Sequence, residues 1–166
     1  MRILGIDPGL RITGYGCVDT IPGSLDPRLV EAGVFRFDGK KSMEARITEL
    51  YESLVELIDE LKPQALAVEK LFAHYKHPRT AIMMAHARGV ILLAAQQAEL
   101  SIAHLPATEV KKSLTGHGHA SKEQMQLAVQ SQCRLVQPPS PPDVADAIAI
   151  AITHARRLAI HDMGLS

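Results

Sequence analysis

Two short stretches of the chain are apolar up to their last residue, and each ends in a carboxylate. Ile3-Leu4-Gly5-Ile6 runs into Asp7, and Ala65-Leu66-Ala67-Val68 runs into Glu69. Runs of this kind predict buried strands at residues 2–7 and 65–69, the second of the type found inside parallel sheets. Residues 12–19 and 29–37 also read as strands, divided by the turn formers Pro22-Gly23-Ser24 and Asp26-Pro27. With 2–7 they predict an antiparallel meander. Apolar residues at 47, 50, 54, 57, 58 and 61 follow a helical period over 42–61, with one wet face, and Pro63 stops that helix. The stretch 79–99 has a helix's length but is apolar nearly all round, so it needs cover on more than one side.

A further strand is predicted at 101–105, and a short helix starts at Pro106 and Thr108. Gly116-His117-Gly118-His119 reads as a loop, and Ser121 caps a helix reaching about 133. The stiff segment 137–142, rich in proline, leads into a last helix at 143–160. The order of elements predicts an α/β fold, a mixed five-stranded sheet with helices on its faces. No internal repeat or linker divides the 166 residues, so one domain spanning 1–166 is expected.

Composition changes this picture little. The two cysteines, Cys17 and Cys133, lie far apart in apolar surroundings and read as reduced thiols in a cytoplasmic protein. No basic and apolar leader precedes the first strand, and the stretch 81–98 is too interrupted by His86, Arg88, Gln96 and Gln97 to cross a membrane. Charge matters more. The net charge is +0, which argues against a polyanion partner, but the charges are unevenly spread. From Lys70 to Lys122 seven Lys and Arg face only Glu99 and Glu109, whereas 42–62 carries six acids against Arg46 and Lys62. One basic face and one acidic face are expected, and a polyanion responds to the local field.

The candidate chemistry lies in four carboxylates set in apolar sequence: Asp7, Glu69, Asp143 and Asp146. Burying an unpaired charge is costly, and gathered carboxylates repel one another unless cations hold them. Strand ends are where α/β sheets build their sites, and Asp7 and Glu69 stand at such ends. Asp143 and Asp146, three residues apart just after Pro142, share one face of a helix's first turn. If that turn packs over the strand ends, all four converge. Hard divalent cations are the fitting partner, and Mg²⁺ is satisfied by a few carboxylates plus water. Two such ions about 4 Å apart hydrolyse phosphodiesters without a protein nucleophile. Each acid alone also suits a plainer role: Asp7 in a Pro-Gly turn, Asp143 as a helix cap, Glu69 in an ion pair. Asp146, among Val144, Ala145, Ala147 and Ile148, is the hardest to explain that way.

The segment 70–79 sets Phe72 and Tyr75 among Lys70, His74, Lys76 and Arg79. Aromatic rings among cations suit unstacked bases, at roughly 1–3 kcal/mol per base. Phe72 also suits a core anchor, and Tyr75 a solvated loop. Lys111 and Lys122 read by themselves as surface lysines. His117 and His119 between glycines read as a loop, not a metal pair.

The motifs taken together resemble a known family. Leu4-Gly5-Ile6-Asp7-Pro8-Gly9, Thr13-Gly14-Tyr15-Gly16, Ala67-Val68-Glu69 with Phe72, Ala87-Arg88-Gly89-Val90, Val110-Lys111, Lys122, and 143–150 resemble, in order, the RuvC family of Holliday-junction resolvases. The resemblance implies a ribonuclease-H-like fold and a homodimer with two active sites. It implies paired nicks in four-way junction DNA, dependent on two Mg²⁺ ions per site with Mn²⁺ as a substitute, leaving 5′-phosphate and 3′-hydroxyl ends. Asp7, Glu69, Asp143 and Asp146 fall on the family's metal-binding carboxylates. Lys111 and Lys122 fall on cations near the scissile DNA, Lys122 with a catalytic part, and Phe72 on an aromatic at the junction centre. Tyr75, Lys76 and Arg79 join them as expected DNA contacts, and the RuvA–RuvB branch-migration complex is an implied partner.

Three other readings compete. An actin-like or sugar-kinase ATPase uses a similar Asp-Pro-Gly turn but needs a second lobe that 166 residues do not supply. A junction-binding protein without activity would gain nothing from four buried acids. A related nuclease on RNA or other branched DNA is not separated by sequence, because reading a junction depends on dimer geometry.

Overall fold

The computed structural model describes residues 1–71 and 77–165. The chain forms β1 (Arg2–Asp7), β2 (Ile12–Asp19), β3 (Arg28–Arg36), α1 (Met43–Leu61), β4 (Ala65–Glu69), α2 (Pro78–Gln97), β5 (Ser101–Leu105), α3 (Ala107–Thr115), α4 (Lys122–Cys133) and α5 (Pro142–Asp162). The five strands make one sheet in the order β3-β2-β1-β4-β5. The first three pair antiparallel, as the turn signals predict, while β4 lies parallel to both β1 and β5.

The sheet separates two cores, and strand alternation decides which side each residue feeds. Ile3, Ala65 and Ala67 face α3, α4 and α5, together with Val110, Met125, Val129 and Ile148. Leu4, Ile6, Leu66 and Val68 face α1 and α2, together with Leu50, Leu54, Leu57 and Ile91. The first side is thus lined by smaller residues. Gly5, Gly14 and Gly16 extend that thin surface, and α5 uses it to lie directly on the sheet. A Cβ on Gly5 would meet the Ala147 carbonyl oxygen at 2.3 Å, and one on Gly16 the Ile148 Cα at 2.7 Å. Helix α5 is accordingly buried along most of its length, from Val144 to Ala155.

Local signals explain where the helices start and stop. Ser42 caps α1 by accepting from the Ala45 N–H, and Lys62 ends it in the left-handed conformation just before Pro63. Ser121 and Gln124 form a reciprocal capping box at the start of α4. Both cysteines are free, and among the described residues no helix is long and apolar enough to cross a membrane.

Helix α2 is covered on one side only among the described residues. Its inner side packs on α1 and β5. Its outer stripe, Ile82, Ala85, Gly89 and Leu93, is exposed, with Ile82 at 59% and Leu93 at 51%. The last helix does not cover it, because α5 lies on the opposite side of the sheet. The second cover that the apolar sequence calls for is absent among the described residues.

Candidate active site

β1 and β4 run parallel in register, Ile6 beside Val68, so Asp7 and Glu69 emerge at adjacent carboxyl ends. Period-two alternation places both on the face that carries Ile3, Gly5, Ala65 and Ala67, the face toward α5. Asp7 pairs across β1 and β2 with Gly14. Gly14 is where α5 comes down: its missing side chain leaves room for the Asp143 carbonyl, which a Cβ would approach to 2.1 Å. The first turn of α5 therefore rests over the strand ends. Asp7, Glu69, Asp143 and Asp146 all line one cleft of about 900 Å³.

The electrostatics show how closely these acids crowd. Burial first, then repulsion from Asp146, Asp143 and Glu69, pushes the Asp7 carboxyl well above the ordinary carboxylate range. Burial and then Asp146 raise Glu69. Burial raises Asp146, with Asp143 adding to it. The opposing pulls come from two lysines: Lys122 acts on Asp7 and Asp146, and Lys111 on Glu69 and Asp146. Both line the cleft. Lys122 is the first helical residue of α4, and Lys111 sits within α3. A cation at a helix N-terminus works against the helix dipole, so its place there is not explained by helix stability. Two lysines that alone read as surface cations are thus brought to the acids by tertiary packing.

The plainer roles for the acids are not realised. The turn after Asp7 is closed by Thr13, whose hydroxyl donates to the Gly9 carbonyl at 2.6 Å and accepts from its N–H at 3.2 Å. Asp143 is not a cap, since Pro141 holds that position and no side chain caps α5. Glu69 makes no ion pair with any described residue.

The donor set is all carboxylate oxygen, which suits a hard divalent cation and not a soft one. Among the described residues no three His, Cys, Asp or Glu side chains close on a single point. An ion of the Mg²⁺ kind takes only one or two carboxylates and keeps its waters. The raised carboxyls are the second sign of fit, since uncompensated like charges are what a cation would relieve.

Arg79, Thr80 and Met83 from the start of α2 form another wall of the cleft. Phe72, Tyr75 and Lys76 lie outside the described residues. Sequence reasoning gave no role to Arg11, which lines the cleft from the turn after Asp7. Nor did it give one to Arg88, which lines a smaller adjoining pocket with Glu69, Lys70 and His77. Arg11 carried a faint signal in its closeness to Asp7-Pro8-Gly9, and Arg88 in its family motif. His117 and His119 lie edge to face with ring centres 5.8 Å apart and are not part of the cleft.

The model of the family described as "Crossover junction endodeoxyribonuclease RuvC" matches residues 3–154. The chain belongs to the RuvC family. Among its relatives, the RuvC of Rhodopirellula baltica is 46% identical over 152 residues, covering 90% of this chain and 83% of that protein. The RuvC of Desulforamulus reducens is 40% identical over 156 residues, covering 94% of each chain. A solved structure of Thermus thermophilus RuvC in complex with Holliday junction substrate is 34% identical, with a TM-score of 0.88 over 97% of this chain and 96% of that one. The yeast mitochondrial Holliday junction resolvase matches with a TM-score of 0.70 at 13% identity, a likeness of fold alone.

The fold is therefore the ribonuclease-H-like fold of RuvC, with its mixed sheet and flanking helices. RuvC proteins are endodeoxyribonucleases, and metal dependence is a general property of the family. The ATPase reading ends here, because family and fold are those of a nuclease.

Proposed function

We propose that the chain resolves four-way DNA junctions as a homodimer, making paired symmetric nicks at two equal sites. The observation that carries this reading is the convergence of four acids and two lysines, from β1, β4, α3, α4 and α5, on one cleft. Asp7, Glu69, Asp143 and Asp146 hold two Mg²⁺ ions, with Mn²⁺ as a substitute. When bound, such ions activate a water and stabilise the leaving oxygen, so the nicks leave 5′-phosphate and 3′-hydroxyl ends. Lys111 and Lys122 face the phosphate backbone across the cleft, and Lys122 also stabilises charge at the scissile phosphate. The N–H groups that open α4 add to this pull on an anion. Arg79, Phe72, Tyr75 and Lys76 contact the strands near the junction centre, Phe72 and Tyr75 by stacking on bases.

The bare stripe of α2 supports the dimer. Ile82, Ala85, Gly89 and Leu93 form an apolar strip that a second copy related by a two-fold axis would cover. A two-fold dimer presents two like sites to a nearly two-fold junction. The chain acts as one domain in the cytoplasm, in partnership with the RuvA–RuvB complex.

The test is cleavage of a synthetic four-way junction in Mg²⁺, beside a linear duplex and a Glu69→Gln control. Symmetric nicks in the junction alone, absent in the control, are expected. Binding without nicks, in Mg²⁺ and in Mn²⁺ and across junctions of varied central sequence, would turn the reading to a junction binder without activity.

A further inference from the structure

Arg88 belongs to α2, on the sheet face away from α5, yet its side chain reaches the strand end that carries Glu69. The Arg88 Nε–H donates to the Glu69 backbone carbonyl at 3.2 Å. A second guanidinium nitrogen, Nη2, meets His104 Nδ1 on the neighbouring strand β5. A guanidinium only donates, so a hydrogen bond here requires an unprotonated Nδ1. The His104 imidazole is held below its ordinary pKa by burial first and then by Arg88 and Lys70, in keeping with a neutral ring.

The location gives the contact its meaning. Glu69 is the last residue of β4, one beyond the last registered pair with β1, and is tied to β5 opposite Leu105. The next N–H, of Lys70, donates to the Leu105 carbonyl at 2.8 Å. From there the chain leaves the sheet. The Lys70 N–H thus ties one edge of the Glu69–Lys70 peptide to β5, and Arg88 holds the opposite edge, the Glu69 carbonyl, from behind, while the Glu69 carboxylate faces the cleft.

We propose that Arg88 is a positioning residue for Glu69: clamped to His104, its guanidinium holds the Glu69 carbonyl and so aims the carboxylate at the metal site. It contacts neither ion nor scissile phosphate. The bond also joins the end of the strand carrying Glu69 to α2. This inference rests on the reading of Glu69 as a metal ligand.

The experiment measures Mn²⁺ binding to the DNA-free protein by the loss of the free-ion electron paramagnetic resonance signal. It compares wild type, Arg88→Ala, His104→Ala, the double variant and Glu69→Gln. Junction affinity in EDTA and thermal melting are read on the same samples. Loss of a partner that orients a metal ligand costs about 10–100-fold in metal affinity, and Arg88→Ala is expected to fall in that range. His104→Ala, at an exposed position, is expected to give a smaller loss in the same direction. The double variant is expected to be no worse than Arg88→Ala, because both changes break one clamp. Junction affinity in EDTA should be unchanged. Unchanged Mn²⁺ affinity in Arg88→Ala and His104→Ala would overturn the inference, as would a loss of junction binding in EDTA, which would make Arg88 a DNA contact. If Arg88→Ala does not fold, His104→Ala alone decides. Full Mn²⁺ affinity in Glu69→Gln would instead remove the metal reading on which the inference stands.

Discussion

Gly14 and Asp143 touch through their backbones: a Cβ on Gly14 would lie 2.1 Å from the Asp143 carbonyl oxygen. The approach brings the first turn of α5 onto the strand pair that carries Asp7, whose registered partner is Gly14 itself. One missing methyl group thus decides where two of the four acids stand.

Gly14→Ala should push the start of α5 away from the sheet. Overpacking of this kind costs about 1–3 kcal/mol. A displacement near 1 Å can cost a reaction about 100-fold. The expected result is a modest drop in melting temperature with a loss of junction cutting near that size. Cutting within about twofold of wild type would show that the α5 contact does not set the geometry of the acids.

Neutralising an acid should stabilise the protein without metal while abolishing cutting. Burial and its neighbours raise the Asp7 carboxyl in the folded state well above its ordinary value of 3.8. The folded state then holds a proton that the unfolded state has released, so this contribution to stability falls as pH rises through that interval. Asp7→Asn should therefore gain over wild type as pH increases from about 4 toward neutrality. A gain on the order of 1 kcal/mol corresponds to roughly 2–4 °C in melting temperature for chains of this size. Melting curves with EDTA across that range check it, and a variant less stable than wild type at neutral pH would contradict it. Saturating Mg²⁺ at about 100 times its Kd should restore about 2.7 kcal/mol to the wild type.

The pH dependence of cutting should have an acid limb above the ordinary carboxylate range, because Asp7, Glu69 and Asp146 are all raised. Cations compete with protons for these groups, so more Mg²⁺ should move the limb to lower pH. Lys122→Ala should move it to higher pH, since Lys122 lowers both Asp7 and Asp146. A limb that ignores Mg²⁺ and Lys122 alike would place the titrating group elsewhere.

The α2 stripe predicts an assembly that can be broken. Leu93→Asp or Ile82→Asp should turn a dimer into a monomer in sedimentation, with melting of the monomer little changed because both side chains are exposed. The monomer should nick junctions singly or not at all. A variant that sediments as wild type would remove this face from the interface.

Much of the fold was legible beforehand. The apolar runs at Ile3–Ile6 and Ala65–Val68 marked the two central strands, and Ser42, Pro63 and Ser121 marked helix ends. Observed boundaries differ by one or two residues, as with β3 at Arg28–Arg36 in place of 29–37 and α2 at Pro78–Gln97 in place of 79–99. The cover of α2 was not legible, because a helix apolar all round states only that it wants neighbours. Arg88 was missed because its partner is a backbone carbonyl, and a carbonyl leaves no mark on sequence.

The sequence by itself determined the strands, the helices and the face each acid takes, because periodicity and turn chemistry act over a few residues. Alternation sets Asp7 on the face of Ile3 within β1 and Glu69 on the face of Ala65 and Ala67 within β4, and the register of Ile3 beside Ala65 joins those faces on one side of the sheet. Only the tertiary structure decided that Asp143 and Asp146 come down beside them, and that Lys111 and Lys122 close in from two other helices. Those encounters depend on close packing between segments far apart in the chain. Small residues such as Gly14 permit that packing, but nothing in their neighbourhood along the chain announces it.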